Sequence, residues 1–260
     1  MTDIGDIVDL DRWPIQGDAS DLVARCQAEL ARDGMFNLSG FLRPGVAASI
    51  AQALEPAFES AAFKHRRRHN IYFRKTIPDL PGDHGALQEM ETSNSTLCAD
   101  QLAGPLTDLY RWPAFASFLA QVMGMNALYP MEDPLAAVNV MRYGEGEALN
   151  WHFDRSEFTT TLLLQAPRVG GAFEYRAGLR TEDDPNYDGV AKLIAGQDPA
   201  VQKADLTAGT LNVFRGKNTA HRVTPPKGDV TRIIAVFSFF DRPGVVFSDQ
   251  ERIGFYGRAG

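Results

Sequence analysis

Apolar residues recur every three to four positions through the first half of the chain and give way to short β-rich runs in the second. Leu22, Cys26 and Leu30 stand four apart, and Gly34 follows as a C-cap, which predicts a helix with one face on the core. Pro44 suits the first turn of a second helix, whose stripe is Val46, Ile50, Leu54 and Phe58. A third helix starts near Pro113 and turns Phe115, Phe118, Leu119 and Val122 to one side. These stripes are read as packing and carry no chemistry.

After Pro134 the period changes. Candidate strands cover residues 135–142, 157–165, 172–175, 210–214, 221–223 and 231–240, punctuated by Gly170-Gly171, Gly209, Gly216, Pro225-Pro226 and Gly228. Residues 181–200 are polar and irregular and read as an insertion loop near one mouth of the sheet. A helical half followed by a run of strands predicts an α+β fold, with helices buttressing a β-sandwich or jelly roll. The expected layout is one domain over 1–260. It has helical support to about 130, a jelly-roll core over about 131–243 and a tail over 244–260.

Composition narrows the function classes. With 260 residues and 44% hydrophobic content, the chain can bury a core. A net charge of −7 argues against nucleic acid and anionic membranes as partners. The basic run Lys64-His65-Arg66-Arg67-Arg68-His69 is short and is read as a local site or solvated segment. The acidic start, the absence of a long apolar run and the presence of only Cys26 and Cys98 fit a cytoplasmic protein without a disulfide framework. A homodimer is left open.

The chemistry gathers in two segments. Asn150-Trp151-His152-Phe153-Asp154 places His152 and Asp154 two apart, on one side of a strand end. Ala220-His221-Arg222-Val223 supplies a second imidazole from a distant strand. Two His and one carboxylate on one face of an iron leave three positions open, the arrangement of non-haem Fe(II) oxygenases. Arg232 lies eleven positions after His221, in the apolar run Ile233-Ile234-Ala235-Val236-Phe237. A charge there is expensive unless paired, and a guanidinium fork suits a carboxylate. If the face of Arg232, Ile234, Val236 and Ser238 is the interior one, Arg232 can hold the far end of an acid that chelates the iron.

These segments, with Phe158-Thr159-Thr160-Thr161-Leu162-Leu163-Leu164-Gln165 and Gly170-Gly171-Ala172-Phe173, resemble the Fe(II)/2-oxoglutarate-dependent dioxygenases. The resemblance implies a double-stranded β-helix. It also implies Fe(II) on His152, Asp154 and His221, Arg232 on the distal carboxylate of 2-oxoglutarate, and O₂ as oxidant. Thr161 and Tyr143 are weaker candidates for the cofactor. Tyr129-Pro130, Pro134, Asn139-Val140 and Arg67-Arg68-His69 are similar to the radical halogenases and hydroxylases of free amino acids such as lysine. In the halogenases of that group the carboxylate position is Gly or Ala, which opens a site for chloride. Asp154 therefore implies hydroxylation of an unactivated C–H bond, with release of succinate and CO₂.

A free amino acid needs a cation for its carboxylate and an anion for its amine. Arg74, Arg67 and Arg155 are candidates for the first, and Glu132, Asp133 and Glu157 for the second. Competing readings are the same chemistry on a carrier-bound or peptide-bound residue or a nucleoside, a His₂Asp zinc hydrolase, and a non-catalytic module that senses 2-oxoglutarate or metal.

Overall fold

The computed structural model describes residues 3–260. The stripes form helices where their spacing predicts them, as α2 (Ser20–Asp33), α3 (Val46–Ser60) and α5 (Pro113–Met123). Gly34 caps α2 in the left-handed region at φ 74°, where a Cβ would come within 2.8 Å of Ala177. Pro44 stays outside α3, which starts after a left-handed Gly45. The short helices α1 (Ile4–Ile7) and α4 (Pro105–Arg111) complete the layer.

These helices cover the outer face of a seven-stranded antiparallel sheet. Its strands are β1 (Met35–Leu38), β2 (Phe63–His69), β3 (Met90–Leu97), β5 (Val138–Tyr143), β7 (Thr159–Gln165), β10 (Leu211–Phe214) and β12 (Arg232–Phe237), in the spatial order β1-β10-β7-β12-β5-β3-β2. Val138, Val140, Leu162, Leu164, Ile233, Ala235 and Phe237 enter the main core with Leu30, Phe41, Phe58, Phe115 and Phe118. Arg142 ties α3 to β5 by donating to Glu55 and Glu59, with its guanidinium over Phe58.

A second antiparallel sheet packs on the inner face. It comprises β6 (Leu149–His152), β8 (Phe173–Arg176), β9 (Gln202–Ala204) and β11 (Ala220–Val223), ordered β6-β11-β8-β9. Met35 and Phe214 of the large sheet meet Phe173, Tyr175 and Val223 of the small one. The small sheet's outer face carries Trp151, Phe153 and Ala220 under Val190 and Leu193 of α6 (Tyr187–Ile194). A two-stranded pair, β4 (Tyr129–Pro130) with β13 (Phe239–Phe240), and a final helix α7 (Asp249–Tyr256) close the chain. The architecture is mixed helix and sheet with a large antiparallel sheet.

Two expectations need correction, the all-helical first half and the 181–200 loop, and the solvated basic run gains a place in the fold. The helical half holds β1, β2 and β3, so the large sheet draws on both halves of the chain. The basic run is β2, the edge strand of that sheet, with Arg66 on Glu91 and Arg68 on Glu89. Its alternation is real but is written in His and Arg in place of apolar residues, so hydrophobic periodicity does not report it; charges also suit an edge. The polar stretch 181–200 contains α6, which buries Val190 and Leu193 behind an Asn186 cap that accepts from the Gly189 N–H. Among the described residues no helix is long and apolar enough to cross a membrane.

Candidate metal centre

Strand alternation points the two imidazoles inward. Trp151 and Ala220 face the α6 side, so His152 and His221 face the space between the sheets. The two residues are direct cross-strand partners in the β6–β11 pair, and their rings stand 4.0 Å apart. His152 Nδ1 lies 2.8 Å from the Asn150 carbonyl, and His221 Nδ1 lies 2.9 Å from the Thr219 carbonyl. A carbonyl only accepts, so each Nδ1 carries a proton and Nε2 is the ring nitrogen turned toward the site.

Asp154 completes the cluster. β6 ends at His152, so Asp154 sits in the turn beyond it and not on the strand itself. Its N–H donates to the Gly216 carbonyl at 3.0 Å. Its Oδ1 is 3.4 Å from His152 Nε2 and its Oδ2 is 3.4 Å from His221 Nε2. Thr159 Oγ1 donates to Oδ2 at 2.5 Å. The three ligand atoms lie within 4.8 Å of one another, and this is the group among the described residues arranged to hold a metal ion. Burial raises the Asp154 carboxyl, but His221 and the imidazole contacts outweigh it and hold the group well below its ordinary value. Burial and His221 push His152 down, against the hydrogen bond and charge of Asp154 and the Asn150 carbonyl. A carboxylate with two imidazoles is the donor set that fits Fe(II).

Arg232 opens β12 opposite Tyr143 and is 2% exposed. Neither its Nε nor its Nη2 has a hydrogen-bond partner. Burial pushes its pKa down to about 10, so it stays charged at neutral pH. A buried, charged fork with two idle donors fits a ligand carboxylate, as 2-oxoglutarate would bring. The face of Arg232 is the interior one, because Ile234 on the same face packs with Tyr143 and Leu163. Burial pushes the Tyr143 phenol up, and its hydroxyl contacts Met141 Sδ at 3.4 Å. Thr161 is buried with its hydroxyl 3.4 Å from the Asn212 carbonyl and side-chain oxygens.

The substrate candidates scatter. Asp133 is a scaffold residue: it accepts from the N–H groups of Leu135, Ala136 and Phe247 and pairs with Arg252 at 2.9 Å. Its carboxylate has no capacity for an amine, and the Pro that follows it belongs to the same turn. Glu132 is exposed and accepts from the Gly244 N–H. Glu157 pairs with Arg215, and Arg155 pairs with Glu251 of α7. Arg74 lines an open cleft of about 430 Å³ with Arg180 and Lys217, whose ammonium pairs with Glu182.

Phe73, which sequence reasoning passed over, stands at the mouth. It is 45% exposed at φ 55°, a conformation that costs a bulky residue about 1–3 kcal/mol. Its ring stacks on His69 at 4.3 Å and meets the edge of His152 at 6.5 Å. Asn70 holds this turn by accepting from the N–H groups of Tyr72 and Arg74 and donating to the Arg74 carbonyl. Arg67 lies over Phe73 at 4.7 Å and, among the described residues, has no carboxylate partner. Burial and the neighbouring Arg155 charge lower its pKa. No periodicity or motif marks Phe73, because its role depends on a positive φ that only the folded turn imposes.

Comparisons with known proteins agree with this geometry. The chain is similar in fold to a 2OG-Fe(II) oxygenase family oxidoreductase from Burkholderia pseudomallei, at 14% identity and TM-score 0.51, over 85% of this chain and 92% of that one. It is similar to a Pseudomonas putida prolyl-4-hydroxylase at 16% identity and TM-score 0.52, over 83% and 98%. It is similar to AviO1 from Streptomyces viridochromogenes at 17% identity and TM-score 0.56, over 85% and 95%. These likenesses show the fold. No curated protein matches the sequence. The family model for Halogenase D matches residues 18–244, and the chain belongs to that family.

Proposed function

We propose that this chain is an Fe(II)- and 2-oxoglutarate-dependent oxygenase that hydroxylates an unactivated C–H bond of a small anionic molecule, with a free amino acid the favoured class. The observation that carries the reading is the pairing of a His-Asp-His cluster with a buried arginine whose donors are idle. In this reading the two facing sheets form a double-stranded β-helix.

Fe(II) with 2-oxoglutarate and O₂ supplies the oxidising power that breaks a C–H bond, yielding succinate and CO₂. The protein's own part is positional. His152 and His221 present Nε2 because their Nδ1 protons are committed to the backbone. Asp154 is held as a carboxylate by Thr159 and the two imidazoles. Arg232 would receive the distal carboxylate of the co-substrate, with Tyr143 opposite it on β5 and Thr161 further along the same inner face, beside Val236. Arg67 on Phe73 would receive the substrate's carboxylate, while Arg155 is already paired with Glu251.

Halogenase D is the family, yet Asp154 occupies the place a halide needs. A three-ligand site leaves no room for chloride once the co-substrate and O₂ are accounted for, so hydroxylation is favoured over chlorination. The cleft of Arg74, Arg180 and Lys217 favours one second reading, a substrate carrying a further anionic group, as a carrier-bound acid would.

The test is mass spectrometry of the protein with Fe(II), 2-oxoglutarate, O₂ and chloride against a panel of free amino acids. One amino acid gaining a single oxygen with matched succinate supports the full reading. A chlorinated product overturns hydroxylation. Absence of anaerobic 2-oxoglutarate binding overturns the cofactor assignment.

A further inference from the structure

Asp154 owes its position to a residue that has no side chain. Gly216 lies in the turn between β10 and β11, and its backbone conformation is one that any residue adopts. Only space restricts it. A Cβ built there collides with Asp154 Oδ2, lies 2.6 Å from Thr159 Oγ1 and lies 2.9 Å from Asp154 Cβ. All three contacts belong to the one spot where Thr159 hands its hydrogen bond to the carboxylate.

The backbone at 216 has nowhere to go. Arg215 N–H donates to the Gly34 carbonyl, Gly216 N–H to the Phe214 carbonyl, and Thr219 N–H to the Arg215 carbonyl. The Gly216 carbonyl itself holds the Asp154 N–H. A methyl at 216 therefore has to be accommodated by the side chains it meets. Turning the Thr159 hydroxyl clears only its own contact; the two contacts with Asp154 are relieved only by shifting that side chain, Cβ and carboxylate together, which takes the carboxylate away from both imidazoles.

We propose that Gly216 is the positioning and specificity-determining residue that sets whether this metal centre has three protein ligands or two, because the space it leaves empty is the space in which the Asp154 carboxylate must stand. The inference rests on the metal-centre reading of His152, Asp154 and His221. In this family the consequence reaches past affinity: expelling the carboxylate leaves two imidazoles and a vacant position. A substitution at 216, a residue that never touches the metal, would then mimic removal of Asp154.

The test compares wild type, G216A, D154A and the double variant G216A/D154A, with Co(II) as probe. Affinity is measured anaerobically by competition, the coordination by the d–d absorption of bound Co(II), and the fold by thermal melting. Losing a group that holds a ligand in place weakens metal binding about 10–100-fold. The expected result is a loss of that size in G216A, a Co(II) spectrum matching D154A, and no further loss in the double variant. Any drop in melting temperature in apo G216A is expected to be relieved in part in the double variant, since the carboxylate is gone while Cβ of residue 154 and Thr159 Oγ1 remain. G216A that binds Co(II) as wild type does, with D154A weakened, overturns the proposal alone. A destabilised G216A that D154A does not relieve at all also overturns it, because the conflict would then lie outside the carboxylate. D154A that binds as tightly as wild type overturns the metal-centre reading and the proposal with it.

Discussion

His221 stands directly opposite His152 across the β6–β11 pair, so the metal-ligand geometry is a property of strand register. A slip of one residue would replace His221 in the site by Ala220 or Arg222. The register is protected from outside, where Arg222 spans Trp151 at 4.7 Å and pairs with Glu174 at 2.6 Å.

Metal binding should therefore be all-or-none in the histidines. At a free Fe(II) or Co(II) concentration a hundredfold above Kd, anaerobic wild-type protein should gain about 2.7 kcal/mol of stability. H221A and H152A should lose that gain and lose succinate formation. Thermal melts with and without metal read the first, and succinate assays the second; retained turnover in H221A would sink the triad.

Arg232 should behave as a functional residue that weakens the fold. Leaving buried donors unpartnered costs about 1–3 kcal/mol, and more when the group is charged. R232M should raise the stability of the ligand-free protein by an amount in that range and remove all stabilisation by 2-oxoglutarate. Urea unfolding with and without the co-substrate checks both halves. A destabilised R232M that still responds to 2-oxoglutarate contradicts the assignment.

The Asp133–Arg252 pair gives a pH signature. Burial raises the Asp133 carboxyl, but three backbone N–H donors and Arg252 bring it below its ordinary value of 3.8. A folded-state value below the unfolded one adds stability that is fully present above 3.8 and lost as pH falls through the folded value. D133N should cost about 1–3 kcal/mol at neutral pH, because an amide nitrogen in place of one carboxylate oxygen leaves buried N–H donors unserved and removes the charge facing Arg252, which keeps Asp249. That difference should shrink as the medium is acidified below pH 3.8, a trend that denaturation curves at stepped pH would expose.

Arg67 and Arg232 should separate in kinetics. A hydrogen bond to a charged group contributes about 1.5–3 kcal/mol, or roughly 10–100-fold. R67Q should raise KM for the primary substrate by that factor and leave KM for 2-oxoglutarate unchanged. Equal effects on both would remove Arg67 from the substrate site.

Much of the fold was legible where a single face is apolar. The α2, α3 and α5 stripes carry their period in hydrophobic residues and the burial follows it, while β7, β10 and β12 read as short strand runs and are buried almost throughout. β2 and β3 were not legible, because their inward positions are His, Arg, Thr and Asn, which line a polar interior and not a core. α6 was hidden by its length of eight residues and the polar loop around it.

The site divides along the same line. The spacing of His152, Asp154, His221 and Arg232 carries the chemistry in the sequence itself, since these residue types in these contexts are costly without a ligand. Which charges surround that chemistry was decided only in three dimensions. Asp133 and Arg155 are near the motif in sequence, yet one is consumed by Arg252 and the other by Glu251. Arg67 and Phe73 lie about 80 residues away and arrive at the mouth through the pairing of β2 with β3 and a turn locked by Asn70. A local pattern records what a side chain can do. Whether it is free to do so depends on the partners that folding brings to it, and those come from segments with no sequence relation to the motif.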